Sequence, residues 1–268
     1  MHFFNPGYPV TLINPVRFLH LRHWRFPFTC FLFFSLLLPF TIRCQQLETD
    51  RPDQSDGASI VEKHKWQLES SLYYTALEGE KNAFISSTLL RYGVSKKLEL
   101  RMLAEQGKNR DNFIEGTAHS QYPLAVSAKW GLVQDKKGWP DISVVGYLQL
   151  PFTNGDQPHY WSPALLLITE KEWGQFTLTS NVGIKQEPFS TDWDWQATAD
   201  LKYALAEQWQ IFGEYFSQFG KEEPFHNVDA GLLFFPSKKW MLSLSGGTSL
   251  RHMPGNRFVN AGFAVQLN

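Results

Sequence analysis

From Trp66 onward the chain alternates apolar and polar residues with a period of two. Trp66, Leu68, Leu72, Tyr74 and Ala76 fall on one side and Gln67, Glu69, Ser71, Tyr73 and Thr75 on the other. That is a strand whose two faces meet different surroundings. A return segment at about 84–94 sets Leu90, Tyr92 and Val94 against Leu89, Arg91 and Gly93, and 98–105 sets Leu98, Leu100 and Met102 against Glu99 and Arg101. A charge at every second place, bracketed by leucines, rejects a strand buried on both faces in an apolar core. The alternation returns at 124–132, 141–150, 176–184, 195–203, 209–217, 227–235, 240–249 and 258–267. Residues 161–169 complete the set, but Ala164-Leu165-Leu166-Leu167-Ile168 is apolar on both faces, so periodicity leaves that strand unoriented.

About twelve strands follow, and the connections between them are of two kinds. Those at about 95–97, 133–138, 170–173, 205–208 and 236–239 are short, whereas those at 106–121, 151–160, 185–194, 218–226 and 250–257 are longer. Short turns alternating with long loops are the asymmetry of an outer-membrane barrel, with the short turns periplasmic. An even strand number places both ends of the barrel on that side, and closure removes edges that lipid cannot satisfy. Trp66, Trp139, Trp173, Trp209 and Trp240 each stand where a short polar segment gives way to alternation, with spacings of 34, 36 and 31 between the last four. This is about the length of two membrane strands with their connections, so these residues are assigned to a periplasmic aromatic girdle. The expected fold class is all-β, an antiparallel transmembrane β-barrel over residues 66–268. A soluble sandwich shows similar alternation but does not explain outer faces almost free of charge.

Composition agrees. A mean hydropathy of −0.29 with 15% aromatic residues is too polar for a helical membrane protein and too aromatic for a disordered chain. Residues 1–44 differ from the rest: Arg17, Arg22, Arg25 and Arg43 with no acidic residue, an apolar centre from Phe31 to Leu38, and Pro39 as a breaker. This reads as a secretory signal peptide ending near Cys44-Gln45-Gln46, with an n-region long enough that the true start could lie after Met1. A retained anchor is the alternative; a lipoprotein reading of Cys44 is weaker, because Arg43 stands where a small residue is expected. The chain has 25 basic and 26 acidic residues, of which four and none lie in the leader, so its removal takes the formal charge from −1 to −5. No basic stripe points to nucleic acid. Both cysteines, Cys30 and Cys44, lie in the leader, leaving no disulfide framework or Cys-based metal site. Residues 45–65 form a polar segment, with Asp50-Arg51-Pro52-Asp53 and Asp56-Gly57 as turn material, long enough to plug a lumen.

With the apolar face outward, the inward set holds Glu69, Arg91, Glu99, Arg101, Lys129, Lys185, Asp200, Lys202, Glu214 and Asp229, five acidic and five basic. They are the candidate lumen-lining residues. Mixed sign fits a wet path for small solutes without a single-sign selectivity ring; the same charges pairing across the interior would close it. Of His64, His119, His159, His226 and His252, four fall in predicted external loops and none is paired at metal-ligand spacing, so no metal or cofactor is expected. Ser245-Gly246-Gly247-Thr248-Ser249 lacks the nucleophile-elbow pattern. No catalytic residue is assigned; Ser249 with His252 resembles barrel-type phospholipases only by analogy.

Thr49-Asp50-Arg51-Pro52-Asp53-Gln54-Ser55 followed by Trp66-Gln67-Leu68-Glu69 resembles the start of a family of predicted outer-membrane transporters, labelled MetA-pathway of phenol degradation and of Bacteroidetes type. Leu89-Leu90-Arg91-Tyr92-Gly93-Val94, Leu98-Glu99-Leu100-Arg101, residues 126–130 and Asn260-Ala261-Gly262-Phe263 are similar to it too. The resemblance covers residues 47–268. It implies an outer-membrane barrel moving small solutes, with aromatic or apolar ones as candidates; the phenol label does not fix a substrate. The chain ends Gln266-Leu267-Asn268 without the terminal aromatic that barrel assembly commonly reads, a role left to Phe263 and Leu267. Expected partners are outer-membrane lipid, the barrel-assembly machinery and an unidentified small solute, with no nucleic acid. The leading expectation is a porin-like channel or transporter in the outer membrane. The alternatives are a closed, non-transporting barrel whose external loops bind a ligand or partner, and a lipid-active enzyme.

Overall fold

A computed structural model describes residues 47–50, 54–76, 82–108, 124–150, 160–187, 191–221, 224–251 and 256–267. The signal-peptide assignment at 1–44, the histidines His119, His159 and His252, and most of the expected external loops lie outside them.

Twelve antiparallel strands form one closed barrel. They are β1 (Trp66–Ala76), β2 (Ala83–Gly93), β3 (Leu98–Lys108), β4 (Leu124–Val133), β5 (Asp141–Leu150) and β6 (Ser162–Trp173). The second half comprises β7 (Phe176–Gln186), β8 (Trp193–Ala206), β9 (Trp209–Phe219), β10 (Phe225–Ser237), β11 (Trp240–Arg251) and β12 (Arg257–Leu267). Each strand pairs with its sequence neighbours, and β1 closes on β12 with Trp66 opposite Leu267 and Ala76 opposite Arg257. Every strand therefore has two partners and no backbone edge faces lipid. Lengths of 10 to 14 residues suit tilted membrane strands.

The predicted facing is realised strand by strand. Leu100, Met102, Val126, Leu132, Val182, Leu201, Leu242, Leu244 and Val259 are exposed, and the residues between them are buried. The unoriented strand is now oriented: on β6, Leu165 and Leu167 face out while Ala164, Leu166 and Ile168 are buried inside. Its inner face is apolar because it packs with Val145, Tyr147 and Ala58 of the N-terminal segment.

Two boundaries differ from expectation. Residues 170–173 are strand and not turn; the reversal comes at Gly174, whose φ of +63 suits glycine, followed by Gln175. The charges that suggested a turn lie in the last residues of the strand, and Glu170 accepts a 2.9 Å hydrogen bond from Thr179 Oγ1 on β7. On the long-loop side, β7 to β10 run further than the hydrophobic pattern does. There the inner faces are closed by polar contacts such as Gln218 Nε2 to Asp194 Oδ2 and Ser162 Oγ to the Gln186 carbonyl.

Trp66, Trp139, Trp173, Trp209 and Trp240 are all exposed beside short turns or at the chain's entry to β1. A second belt, absent from the sequence-based expectation, is formed at the other end by Trp161, Trp193 and Trp195. Two aromatic belts flanking an apolar band mark both interfaces of a membrane.

Candidate functional site

All ten candidate lumen charges lie on inward-facing positions. They do not share one environment. Arg91 on β2, Arg101 on β3 and Lys129 on β4 converge on a carboxylate that belongs to none of the strands, that of Asp50. Its Oδ2 lies 2.8 Å from Arg101 Nη2, 2.9 Å from Lys129 Nζ and 3.4 Å from Arg91 Nη1. Its Oδ1 accepts from Lys129 Nζ at 3.0 Å and from the Gly57 amide at 2.8 Å. Three cations around one carboxylate favour its ionised form.

The wall's own acids hold the arginine side. Glu99 takes a two-point contact from Arg91, Nε to Oε1 at 2.8 Å and Nη2 to Oε2 at 3.0 Å, and Glu69 Oε1 accepts from Arg91 Nη1 at 2.8 Å. The forked, planar guanidinium suits such paired recognition. Glu69 and Glu99 also reach the N-terminal segment, accepting from the backbone amides of Asp50 at 3.0 Å and Val61 at 2.8 Å. Arg101 Nη2 further bonds Asp56 Oδ1 at 3.0 Å, and Tyr147 on β5 donates to Asp56 Oδ2 at 2.6 Å.

Residues 47–50 and 54–65 therefore run inside the ring of strands. Ser143 Oγ donates to the Ala58 carbonyl at 2.5 Å, and Asn181 Nδ2 to the Asp56 carbonyl at 3.1 Å. Glu214 on β9 accepts from Ser55 Oγ at 2.5 Å and from the Gln54 amide at 2.7 Å. Two apolar pads complete the fit: Ala58 against β5 and β6, and Leu47 against Phe212, Leu233, Phe235, Met241 and Ala264. The segment reaches β1 past Gly93, where the His64 amide donates to the Gly93 carbonyl at 2.7 Å. A Cβ on Gly93 would stand 2.2 Å from the Glu62 carbonyl oxygen and 2.3 Å from that of Val61. Only glycine admits so close a backbone.

Most of these contacts occupy the half of the interior nearest the short turns. Toward the long loops the wall changes character. Thr75, Ser87, Gln149, Gln196, Gln218, Asn227, Ser245 and Ser249 face inward there, alongside the charges Glu105, Lys185, Asp194 and Asp229. Among the described residues, Thr75 Oγ1, Ser87 Oγ, Gln149 Oε1, Gln196 Oε1, Gln218 Oε1, Asn227 Nδ2 and Ser245 Oγ have no hydrogen-bond partner within the protein. Phe216 and Phe258 meet edge to face at 6.0 Å in the same region. Ser249 Oγ donates to Asn227 Oδ1 at 2.6 Å, while the residue considered with it, His252, lies outside the described residues.

The sequence-based reading did not place Asp50, Asp56, Ser143 or Tyr147 in the site. The inward charges of β1 to β4, Glu69, Arg91, Glu99, Arg101, Glu105 and Lys129, balance, so a charge count gave no signal for Asp50.

A closed barrel with an apolar outer band, two aromatic belts and a polar interior is an outer-membrane β-barrel of the porin type. Solved structures agree on the fold. The chain is similar to the NanC porin at 8% identity, with a TM-score of 0.55 over 75% of this chain and 100% of that one. It is similar to an outer membrane channel from Pseudomonas putida F1 at 12% identity, with a TM-score of 0.54 over 82% and 100% of the two chains. The KdgM porin in complex with disordered oligogalacturonate is 9% identical, with a TM-score of 0.52 over 75% and 99%. No curated protein matches the sequence significantly. Residues 49–267 match the family described as MetA-pathway of phenol degradation, and the chain belongs to that family.

Proposed function

We propose that the protein is an outer-membrane channel for small solutes, with a polar vestibule toward the long loops and the N-terminal segment as the element that controls the short-turn half. One observation carries this reading: the interior is divided along the barrel axis. Near the short turns, the inward charges are engaged by residues 47–65. Toward the long loops, buried hydroxyls and amides have atoms with no hydrogen-bond partner among the described residues. Such atoms are costly in a dry interior and ordinary in a wet one. The ten candidate charges line the path, and Tyr73, Phe216 and Phe258 offer apolar contact to aromatic or apolar solutes. The outer membrane's lipid contacts the two belts, and the assembly machinery inserts the barrel. Liposome swelling tests the reading. The mature chain should admit small polar solutes slowly, and a variant lacking residues 47–58 should admit them faster. A folded barrel, shown by heat-modifiable gel migration, that passes no solute in either form would exclude a channel.

A further inference from the structure

We infer that Arg91, Arg101 and Lys129 form a binding site for the carboxylate of a small solute, and that Asp50 occupies it as a tethered stand-in. The inference rests on the channel reading and names a solute class for it.

The geometry is that of a built anion site. Three cationic side chains, each buried, point at one oxygen from three adjacent strands, at 2.8, 2.9 and 3.4 Å. The carboxylate they hold comes from the N-terminal segment and from none of the twelve strands. Without Asp50, the Lys129 ammonium keeps only the carbonyl oxygens of Gly57 and Ser59, and Arg91 and Arg101 each lose one carboxylate partner. A buried ammonium left without a carboxylate calls for an anion.

Two further donors show that Asp50 does not use the whole site. Arg101 Nε and Nη1 are buried and have no hydrogen-bond partner among the described residues, although Nη2 bonds both Asp50 and Asp56 and Nε lies 3.6 Å from Glu99 Oε1. A planar carboxylate approaching from the lumen can take a two-point contact on a guanidinium that a side chain held at its own backbone does not. A neutral alcohol or amide of the same size supplies no charge and leaves the Lys129 ammonium unpaired. Because Asp50 competes from within the same chain, its effective concentration is on the order of millimolar or higher. Free carboxylate is therefore expected to enter at high concentration, or when the segment withdraws.

Chemical rescue tests this directly. Asp50→Gly in the full mature barrel should lower the temperature at which the heat-modifiable band is lost. Sodium acetate at constant ionic strength should restore it saturably, and acetamide, the neutral isostere, should not. Wild type, with its site filled, should not respond, nor should Asp50→Gly combined with Lys129→Met. Equal rescue by chloride or acetamide, or none by acetate, would overturn the site. If Asp50→Gly does not fold, Asp50→Asn with binding of radiolabelled acetate gives the same reading: saturable, acetamide-resistant binding supports it and its absence refutes it. Rescue reads binding and not passage. A barrel that binds acetate but passes no solute would fail the channel reading alone, and a conducting barrel without rescue would fail the carboxylate site alone.

Discussion

The two halves of the lumen solve the same problem differently. Near the short turns, charged side chains are buried, and burial of a charge is tolerable only when it is paired and hydrogen-bonded. There the chain brings its own counter-groups: Asp50 and Asp56 face the cations, and backbone amides face Glu69 and Glu99. Toward the long loops the inward groups are mostly amides and hydroxyls, and nothing in the described protein is folded against many of them. One half is built around a specific occupant, and in the proposed channel the other is left to solvent and solute. A β-barrel wall can thus carry two functions along one axis without any change of fold.

Removing one partner from the occupied half should have the largest effect. Arg101→Met leaves Asp56 and part of the charge on Asp50 uncompensated, and about 3 to 5 kcal/mol of stability should be lost. Gln196→Met in the open half should cost about 1 kcal/mol or less. Urea unfolding of both folded barrels compares them, and similar losses would erase the distinction.

The lipid face is the control for these inner substitutions. Leu244→Arg places a charge in the apolar band near its middle and should cost about 2 to 4 kcal/mol, while Ser243→Arg, facing inward, should be better tolerated. Equal damage would show that the two faces are assigned wrongly.

Gly93→Ala sharpens the account of how the segment enters. Its Cβ meets backbone at 2.2 Å, and relieving such an overlap should cost about 1 to 3 kcal/mol. A cysteine introduced by Ser59→Cys should then react faster with a water-soluble maleimide, because the segment is pushed off its bed. Unchanged labelling would mean that the segment is held elsewhere.

The smallest contrast lies between two serines. Ser143→Ala loses the bond to the Ala58 carbonyl and should cost about 1 kcal/mol, whereas Ser245→Ala removes a hydroxyl with no partner among the described residues and should be close to neutral. Thermal loss of heat modifiability, compared for the two, reads the difference.

The barrel was legible in sequence because lipid and lumen differ so sharply in polarity that a period of two reports the facing directly. Where that contrast fails, so does the reading. Leu166 and Ile168 are apolar on the inner face because Ala58 packs there, and no local pattern announces a contact with a residue about a hundred positions earlier. Asp50 looked like turn material because Asp-Arg-Pro-Asp is turn chemistry locally; its role depends on three strands meeting around it. The motif through Arg91, Tyr92 and Gly93 was seen as a resemblance, and its physical content is now clear for two members. Arg91 holds the acids that anchor the segment, and Gly93 leaves room for its backbone.

A double-mutant cycle between Asp50 and Lys129 tests the two-half account most directly. With Asp50→Ala, Lys129→Ala and the double variant compared by unfolding, residues in direct contact should show a coupling toward the upper part of the roughly 0.5 to 3 kcal/mol range. Strictly additive losses would mean that the N-terminal segment does not rest on the charged wall, and the division of the lumen would have to be abandoned.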